Sequence, residues 1–297
     1  METAIHIRYT DGISACYPIA GSGATPKPHR TCSTDKMTKT IDLNCDMGES
    51  FGAYTIGDDA AMLELITSAN IACGFHGGDP EVIHRTVLQA RENGVSVGAH
   101  PSFMDLYGFG RRRIAGETPE ALKAQLIYQI GAVKALTEAA GTRLTHVKTH
   151  GALGNMAAED AELARICVDA VIAVDPTLTF VTLPYSQTMH AAEEAGLHVA
   201  SEIYADRTYT DEGRLTPRKE AGAVIHDPDR SLAQVLHMIL DGHIPTTGGR
   251  KLPVRADTLC IHGDNPAAVA VARKLREELE RAGIAIAPFR ISAPAAA

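Results

Sequence analysis

Four times in this chain of 297 residues a short apolar run ends in histidine followed by glycine or proline. The runs close on His76-Gly77, His100-Pro101, His150-Gly151 and His262-Gly263. Each reads as a buried strand, and a helical pattern follows it. In a repeating strand–helix fold, the C-terminal ends of parallel strands converge on one face. Ligands bind on that face in barrels and in open α/β sheets. One pattern thus constrains both the architecture and the place where chemistry is expected.

The alternation begins at Ile41. It predicts strands over residues 41–45, 69–73, 95–99, 146–148, 178–183, 198–201 and 258–261, with helices between them. The helix over 119–140 carries Leu122, Leu126, Ile130, Val133 and Leu136 on one face. Thr118 is its N-cap, and Pro119 takes the first helical position. The same start signal recurs as Asp79-Pro80, Asp227-Pro228 and Asn265-Pro266. Seven strand–helix units predict an α/β protein with a parallel sheet and outer helices. Seven is one short of the common barrel, so a seven-stranded, distorted barrel is expected, with a doubly wound open sheet as the alternative. The polar, glycine-bearing stretches 203–226 and 242–257 form an insertion placed to cover the site as a lid.

Residues 1–38 differ from the rest. Gly21-Ser22-Gly23-Ala24-Thr25-Pro26 has the composition of a linker, so the expected organisation is a flexible extension, 1–38, before a single domain, 39–297. The net charge of -8 argues against a nucleic-acid or anionic-membrane surface. No apolar run approaches the roughly 18 residues of a membrane-spanning helix. The six cysteines form no C-x-x-C pair, which fits reduced thiols in the cytoplasm and argues against a zinc–thiolate site.

Alternation along the first strand puts Asp42, Asn44 and Asp46 on one face. Such a face must bind something or satisfy itself as a hydrogen-bonded polar core. Asp46, at the strand end, is a candidate catalytic carboxylate or the anchor of the following turn. Glu49 lies in the loop, as a site residue or a solvated one. Around His76 the glycines allow close backbone approach, and the helix from Pro80 directs N–H groups to the same place. Imidazole suits acid–base work and metal ligation alike. Lys148 and His150 share a face, and a lysine inside a barrel needs an anion, either a substrate group or a carboxylate such as Glu202. Arg111-Arg112-Arg113 is a solvated run or holds one anion clamp beside a glycine loop. Neither a G-x-x-x-x-G-K-[ST] phosphate loop nor a G-x-G-x-x-G follows any strand, and G-x-S-x-G and H-E-x-x-H are also absent.

Together these segments resemble the LamB/YcsF family, the A subunit of bacterial ATP-dependent 5-oxoprolinase. The matching stretches are IDLNCDMGESFG at 41–52, SANIACGFHGGDP at 68–80, GAHP at 98–101, GFGRR at 108–112, HVKTHGAL at 146–153, SEIYADRTY at 201–209, GAVIHDP at 222–228 and ADTLCIHGDNP at 256–266. The resemblance covers residues 39–284 in order. Three places depart from the family pattern. Thr149 stands where proline is usual, Gly154 where an aromatic is usual, and Ser102-Phe103-Met104 where small and aromatic residues are usual.

The resemblance implies a seven-stranded β/α barrel of the glycoside hydrolase/deacetylase type. It also implies a chain that works with two partner subunits, B and C, to open 5-oxoproline to glutamate at the expense of ATP with Mg2+. On that reading Asp46 and Glu202 are base or magnesium-binding carboxylates, and His76 and His150 the acid–base pair. Lys148 and Arg207 take anionic groups. Asn44, Glu49, His100, Arg112, His262 and Asp264 bind substrate or phosphate, or orient the site. The alternative is a metal-dependent hydrolase or deacetylase of an amide or acetylated sugar, with Asp46, His76 and His150 as metal ligands. A third reading is a carrier subunit that binds the lactam without acting on it.

Overall fold

The structure, a computed structural model, describes residues 39–263 and 266–289. The expected extension 1–38, the cap Asn265 and the candidate site residue Asp264 lie outside the described residues. In chain order the strands are β1 (Thr40–Met47), β2 (Ser68–Ala72), β3 (Ser96–His100), β4 (Leu144–Lys148), β5 (Thr179–Thr182), β6 (His198–Tyr204), β7 (His243–Pro245), β8 (Lys251–Pro253), β9 (Thr258–Cys260) and β10 (Ala285–Ile286). The helices are α1 (Asp59–Leu63), α2 (Pro80–Glu92), α3 (Pro119–Ala139), α4 (Gly151–Ala157), α5 (Ala161–Val174), α6 (Gln187–Glu194), α7 (Pro228–Leu236) and α8 (Pro266–Arg281).

Seven of these strands, in the order β1-β2-β3-β4-β5-β6-β9, are all parallel. The ring closes because β9 also pairs with β1, setting Asp42 opposite Thr258. The fold is therefore the seven-stranded β/α barrel and not the open sheet. β10 extends it by pairing with the first residues of β1. The expected caps hold at three helices: Asp79, Thr118 and Asp227 each accept from backbone N–H groups of the first turn, with proline next in the chain.

The insertion is a packed unit rather than a bare loop. β6 runs on through Tyr204, so the insertion starts later than expected. β7 and β8 form an antiparallel hairpin. Tyr209 is fully buried, and its hydroxyl accepts from Tyr204 N at 2.8 Å, fixing the insertion to the end of β6.

Period-two alternation gives the barrel an unusual interior. Ile41, Leu43, Cys45 and Met47 of β1 face outward and are buried under the helices, as are Ile71, Val97, Val147 and Phe180. The opposite face is polar. Asp42, Asn44, Ser68, Asn70, His146 and Thr258 are all fully buried. Register aligns Asp46, Asn70, Gly98, His146 and Thr179 on consecutive strands. A Cβ on Gly98 would lie 2.1 Å from His146 Nε2, so glycine there makes room for the imidazole.

Apart from the Thr179 hydroxyl, which has no partner among the described residues, these buried groups bond to one another, as an unpaired one costs about 1–3 kcal/mol. Asp42 accepts from the hydroxyls of Thr67 at 2.6 Å, Ser68 at 2.7 Å and Thr258. Asn44 Nδ2 donates to Thr258 Oγ1 at 2.7 Å. Asn70 Nδ2 donates to Asn44 Oδ1 at 2.8 Å and to Asp46 Oδ1 at 2.9 Å. His146 Nε2 lies 3.0 Å from Asn70 Oδ1.

Burial raises the Asp42 carboxyl from 3.8 to about 6, against the pull of its three hydroxyl donors. A carboxyl raised in the folded state binds its proton more tightly there. Its contribution to stability is complete below pH about 4 and is lost as the pH rises through about 6. Denaturant unfolding of the wild type and Asp42→Asn across this window tests it. The stability of the wild type relative to the variant is expected to fall by about 3 kcal/mol as the pH rises. A difference independent of pH would show that this carboxyl titrates alike in both states.

Candidate active site

The polar column inside the barrel rises to Lys148, the last residue of β4. Its ammonium is buried and donates to Asp46 Oδ1 at 3.0 Å and Asn44 Oδ1 at 3.2 Å, with Cys260 Sγ at 3.3 Å. Glu202 Oε1 is 2.7 Å away, an ion pair with poor hydrogen-bond direction. The second Glu202 oxygen accepts from the Tyr204 hydroxyl at 2.8 Å. Burial opposes the charge on Lys148, but Asp46, Cys260 and Glu202 outweigh it and hold the ammonium well above its ordinary pKa.

Asp46 joins this cation to a second group. Its Oδ2 lies 3.2 Å from His100 Nε2. Burial disfavours its ionisation, yet His100 and Lys148 keep the carboxyl well below the usual range. His100 in turn meets His150, with Nε2 and Nδ1 3.0 Å apart. His150 stacks on His76, ring centroids 3.7 Å apart and planes 11° from parallel. Glu49 completes the group. Its Oε1 is 3.3 Å from His76 Nε2 and 3.4 Å from His150 Nδ1. Burial pushes His150 down to about 2, with His76 and His100 adding to the effect, and pushes His76 well below its ordinary range. One ligand atom from each of Glu49, His76, His100 and His150 lies within 4.8 Å of the others, a set able to hold a metal ion. This donor set differs from the expected Asp46, His76 and His150: Glu49 and His100 enter, and Asp46 turns to Lys148.

Local structure explains why these side chains meet. His100 ends β3, and His150 lies two residues beyond β4. The glycines after His76 serve the backbone rather than a ligand: a Cβ on Gly77 would sit 2.7 Å from Glu49 O, so glycine lets this loop pack on the Glu49 segment. The first N–H groups of α2 are taken by Asp79, which accepts from Glu81 N and Val82 N, so they do not point into the cluster unclaimed.

The loop after β3 closes over the histidines. Phe109 has φ 54° and Gly110 φ 63°. The Phe109 ring meets His76 and His150 edge-on at 5.7 and 5.4 Å, and its carbonyl lies 2.9 Å from His150 Nε2. A Cβ on Gly110 would meet Ser102 Oγ at 2.3 Å and His150 Cδ2 at 2.7 Å.

Other expected site residues stand apart. Arg112 pairs with Asp105, which also accepts from Gly108 N, and so fastens this loop rather than reaching the cluster. Arg207 is buried in the insertion, where its guanidinium donates to Thr216 O at 2.6 Å and Ala223 O at 3.4 Å. His262 leaves the other strand-end histidines and lies 3.5 Å from Asp206. Sequence reasoning missed Phe109, Asn70 and Tyr204. Asn70 was within reach, since it alternates with Ser68 on the same face. The Phe109 carbonyl carries no side-chain signal.

Residues 41–293 match the LamB/YcsF family. The chain is 52% identical over 249 residues to the A subunit of 5-oxoprolinase from Rhodopseudomonas palustris, spanning 84% of this chain and 98% of that protein. It is 54% identical over 248 residues to the A subunit of 5-oxoprolinase from Gluconobacter oxydans, spanning 84% and 97%. The crystal structure of the lactam utilization protein of Thermus thermophilus aligns with a TM-score of 0.80 at 47% identity, over 84% of this chain and 100% of that one.

The Lys148 cage predicts a coupled response to substitution. Lys148→Met strands two carboxylates in the barrel and is expected to cost roughly 3–5 kcal/mol. Adding Glu202→Gln removes one of the stranded charges and should restore part of the loss, as measured by denaturant unfolding. Strictly additive losses would show that the two residues are not coupled.

Proposed function

The chain belongs to the LamB/YcsF family, and from that premise we propose that it is the A subunit of an ATP-dependent 5-oxoprolinase. It works in the cytoplasm with two partner subunits, B and C, to cleave 5-oxo-L-proline to L-glutamate. Relatives about half identical to this chain, matched over nearly their whole length, bear that subunit's name. No helix among the described residues is long and apolar enough to cross a membrane.

The observation that carries the chemical part of the reading is the position of Asp46. It is in contact with Lys148 at 3.0 Å and His100 at 3.2 Å, and about a quarter of its side chain is exposed while both partners are buried. A carboxylate pinned between two donors, with one edge open, is placed to receive a proton from a substrate water. Ring opening of a lactam makes three demands. Water must lose a proton as it adds to the carbonyl carbon. The ring nitrogen must gain one as the C–N bond breaks. The negative charge that develops on oxygen must be held. Asp46 serves the first demand and hands the proton it receives to the neutral imidazoles of His76 and His150, which serve the second, and Lys148 supplies positive charge for the third.

A lactam carbonyl is a poor electrophile, and transfer of a phosphoryl group from ATP to its oxygen makes it a good one. The chain has no glycine-rich phosphate loop, so ATP and Mg2+ are held with the partner subunits, and this barrel opens the activated ring.

The test is glutamate release from 5-oxoproline by this chain alone and with its two partner subunits, with and without ATP. Release is expected only in the ATP-containing mixture. Asp46→Asn should lower it by about 10²–10⁴-fold with the circular dichroism spectrum unchanged. ATP-independent hydrolysis of an amide by the chain alone would favour the metal-dependent hydrolase reading instead. Inactivity of a folded, complete mixture would overturn the 5-oxoproline assignment.

A further inference from the structure

Two backbone carbonyls decide where the protons sit on the clustered histidines. His100 Nδ1 is 2.7 Å from Lys148 O, and His150 Nε2 is 2.9 Å from Phe109 O. A carbonyl oxygen only accepts, so each of these nitrogens carries a hydrogen and donates it. A neutral imidazole has one such hydrogen. His150 Nδ1, in the neutral ring, then presents a bare lone pair; it faces His100 Nε2 at 3.0 Å, and that nitrogen also lies 3.2 Å from Asp46 Oδ2. A third acceptor, Glu49 Oε1, points into the same space 3.4 Å from His150 Nδ1 and 3.3 Å from His76 Nε2. His76 Nδ1 is buried with no hydrogen-bond partner among the described residues.

Acceptor atoms of His150, Glu49 and Asp46 brought this close around His100 Nε2 call for a positive centre among them, a proton or a metal ion. We infer that Glu49, His76, His100 and His150 form a binding site for one divalent first-row transition metal of the zinc class. Three observations support a metal over a shared proton. Three of the six donor separations, 3.0, 3.3 and 3.4 Å, lie near the roughly 3.4 Å edge of a tetrahedral shell with bonds of about 2.1 Å, and all six fall within 4.8 Å. Metal-bound histidines characteristically donate their outer N–H to a carbonyl or carboxylate, as His100 and His150 do here. A proton bridges two atoms, whereas four donors converge here. The donor chemistry also selects the ion. Three imidazole nitrogens with one carboxylate oxygen suit Zn2+, Co2+ or Fe2+. Mg2+ instead favours an octahedral shell of oxygens and gives up water reluctantly.

The site overlaps the surface proposed for lactam cleavage, but the inference stands on the convergence of four donor groups and not on that reaction. Asp46 lies just outside the donor set, 3.2 Å from His100 Nε2, where it would accept a hydrogen bond from a bound water.

Metal is measured directly on the full, untagged chain with no substrate present. The protein is stripped with a chelator, then titrated with Zn2+ and with Co2+, and the bound metal is counted by mass spectrometry. One equivalent is expected to survive dialysis, with ligand-field absorption in the Co2+ form and no displacement by excess Mg2+. Glu49→Gln, which keeps the side chain's shape, and His100→Ala should each weaken binding by more than about 100-fold while circular dichroism shows an intact fold. His190→Ala, an exposed histidine paired with Glu194 on α6, should change nothing. Three results would overturn the inference: folded wild type that retains no metal, affinity unmoved by both site variants, or nitrogen NMR showing a doubly protonated His100 that Zn2+ does not alter. Absence of metal would leave the lactam reading standing, and absence of glutamate release would leave the metal site standing.

Discussion

A lysine ammonium sealed inside a β-barrel is the condition to which the rest of this structure answers. Lys148 cannot reach water, and an unmatched charge there would cost several kcal/mol. Asp46 and Glu202 neutralise it from two strands, and Asn44 takes a further proton of the ammonium. Each of these groups then needs its own partners. The hydrogen bonds run from Asn44 to Thr258 and Asn70, and from there to Asp42 and His146. The polar interior is the continuation of one buried cation down the barrel axis. Apolar burial is left to the outside of the barrel, where the helices pack.

The other consequence runs upward. Two carboxylates against one ammonium leave a surplus of negative charge, and Asp46 passes part of it to His100. The imidazoles are thus not an independent motif resting on the barrel. Their position follows from the strand ends, and their orientation is fixed by backbone carbonyls of Lys148 and Phe109. The Phe109 carbonyl is in place because Arg112 and Asp105 tie the loop and Gly110 turns it with a positive φ. The Asp105 carboxylate is buried and only the Arg112 guanidinium is exposed. The pair acts through geometry, by holding the loop that closes the cluster.

Much of this could be read from residue order alone, for definite reasons. Strand alternation placed Asp42, Asn44 and Asp46 on one face, because period two holds whatever the partners are. The histidines after the apolar runs marked the strand ends, and the Glu202–Lys148 pair followed from the need of a buried lysine for an anion. What escaped depends on contacts distant in sequence. Nothing local says that His262 turns to Asp206 while three other histidines gather. Arg207 looked like a free anion clamp, yet its guanidinium is spent on carbonyls of Thr216 and Ala223, which close the insertion. The hairpin of β7 and β8 and the short β10 carry too few residues for a periodic signal.

The division of labour between the two halves of the site follows from the same constraint. Around Lys148 every partner is an oxygen or sulfur acceptor, so that half is organised by a cation of the chain itself. Around Glu49, His76, His100 and His150 one ligand atom from each converges within 4.8 Å of the others. Arg111 lies close by, with its guanidinium over the outer Phe109 ring at 5.3 Å rather than among the imidazoles. Two neighbouring clusters, bridged by one shared aspartate, thus divide the barrel mouth: one is built around an ammonium of the chain, and the other brings together three imidazoles and a carboxylate.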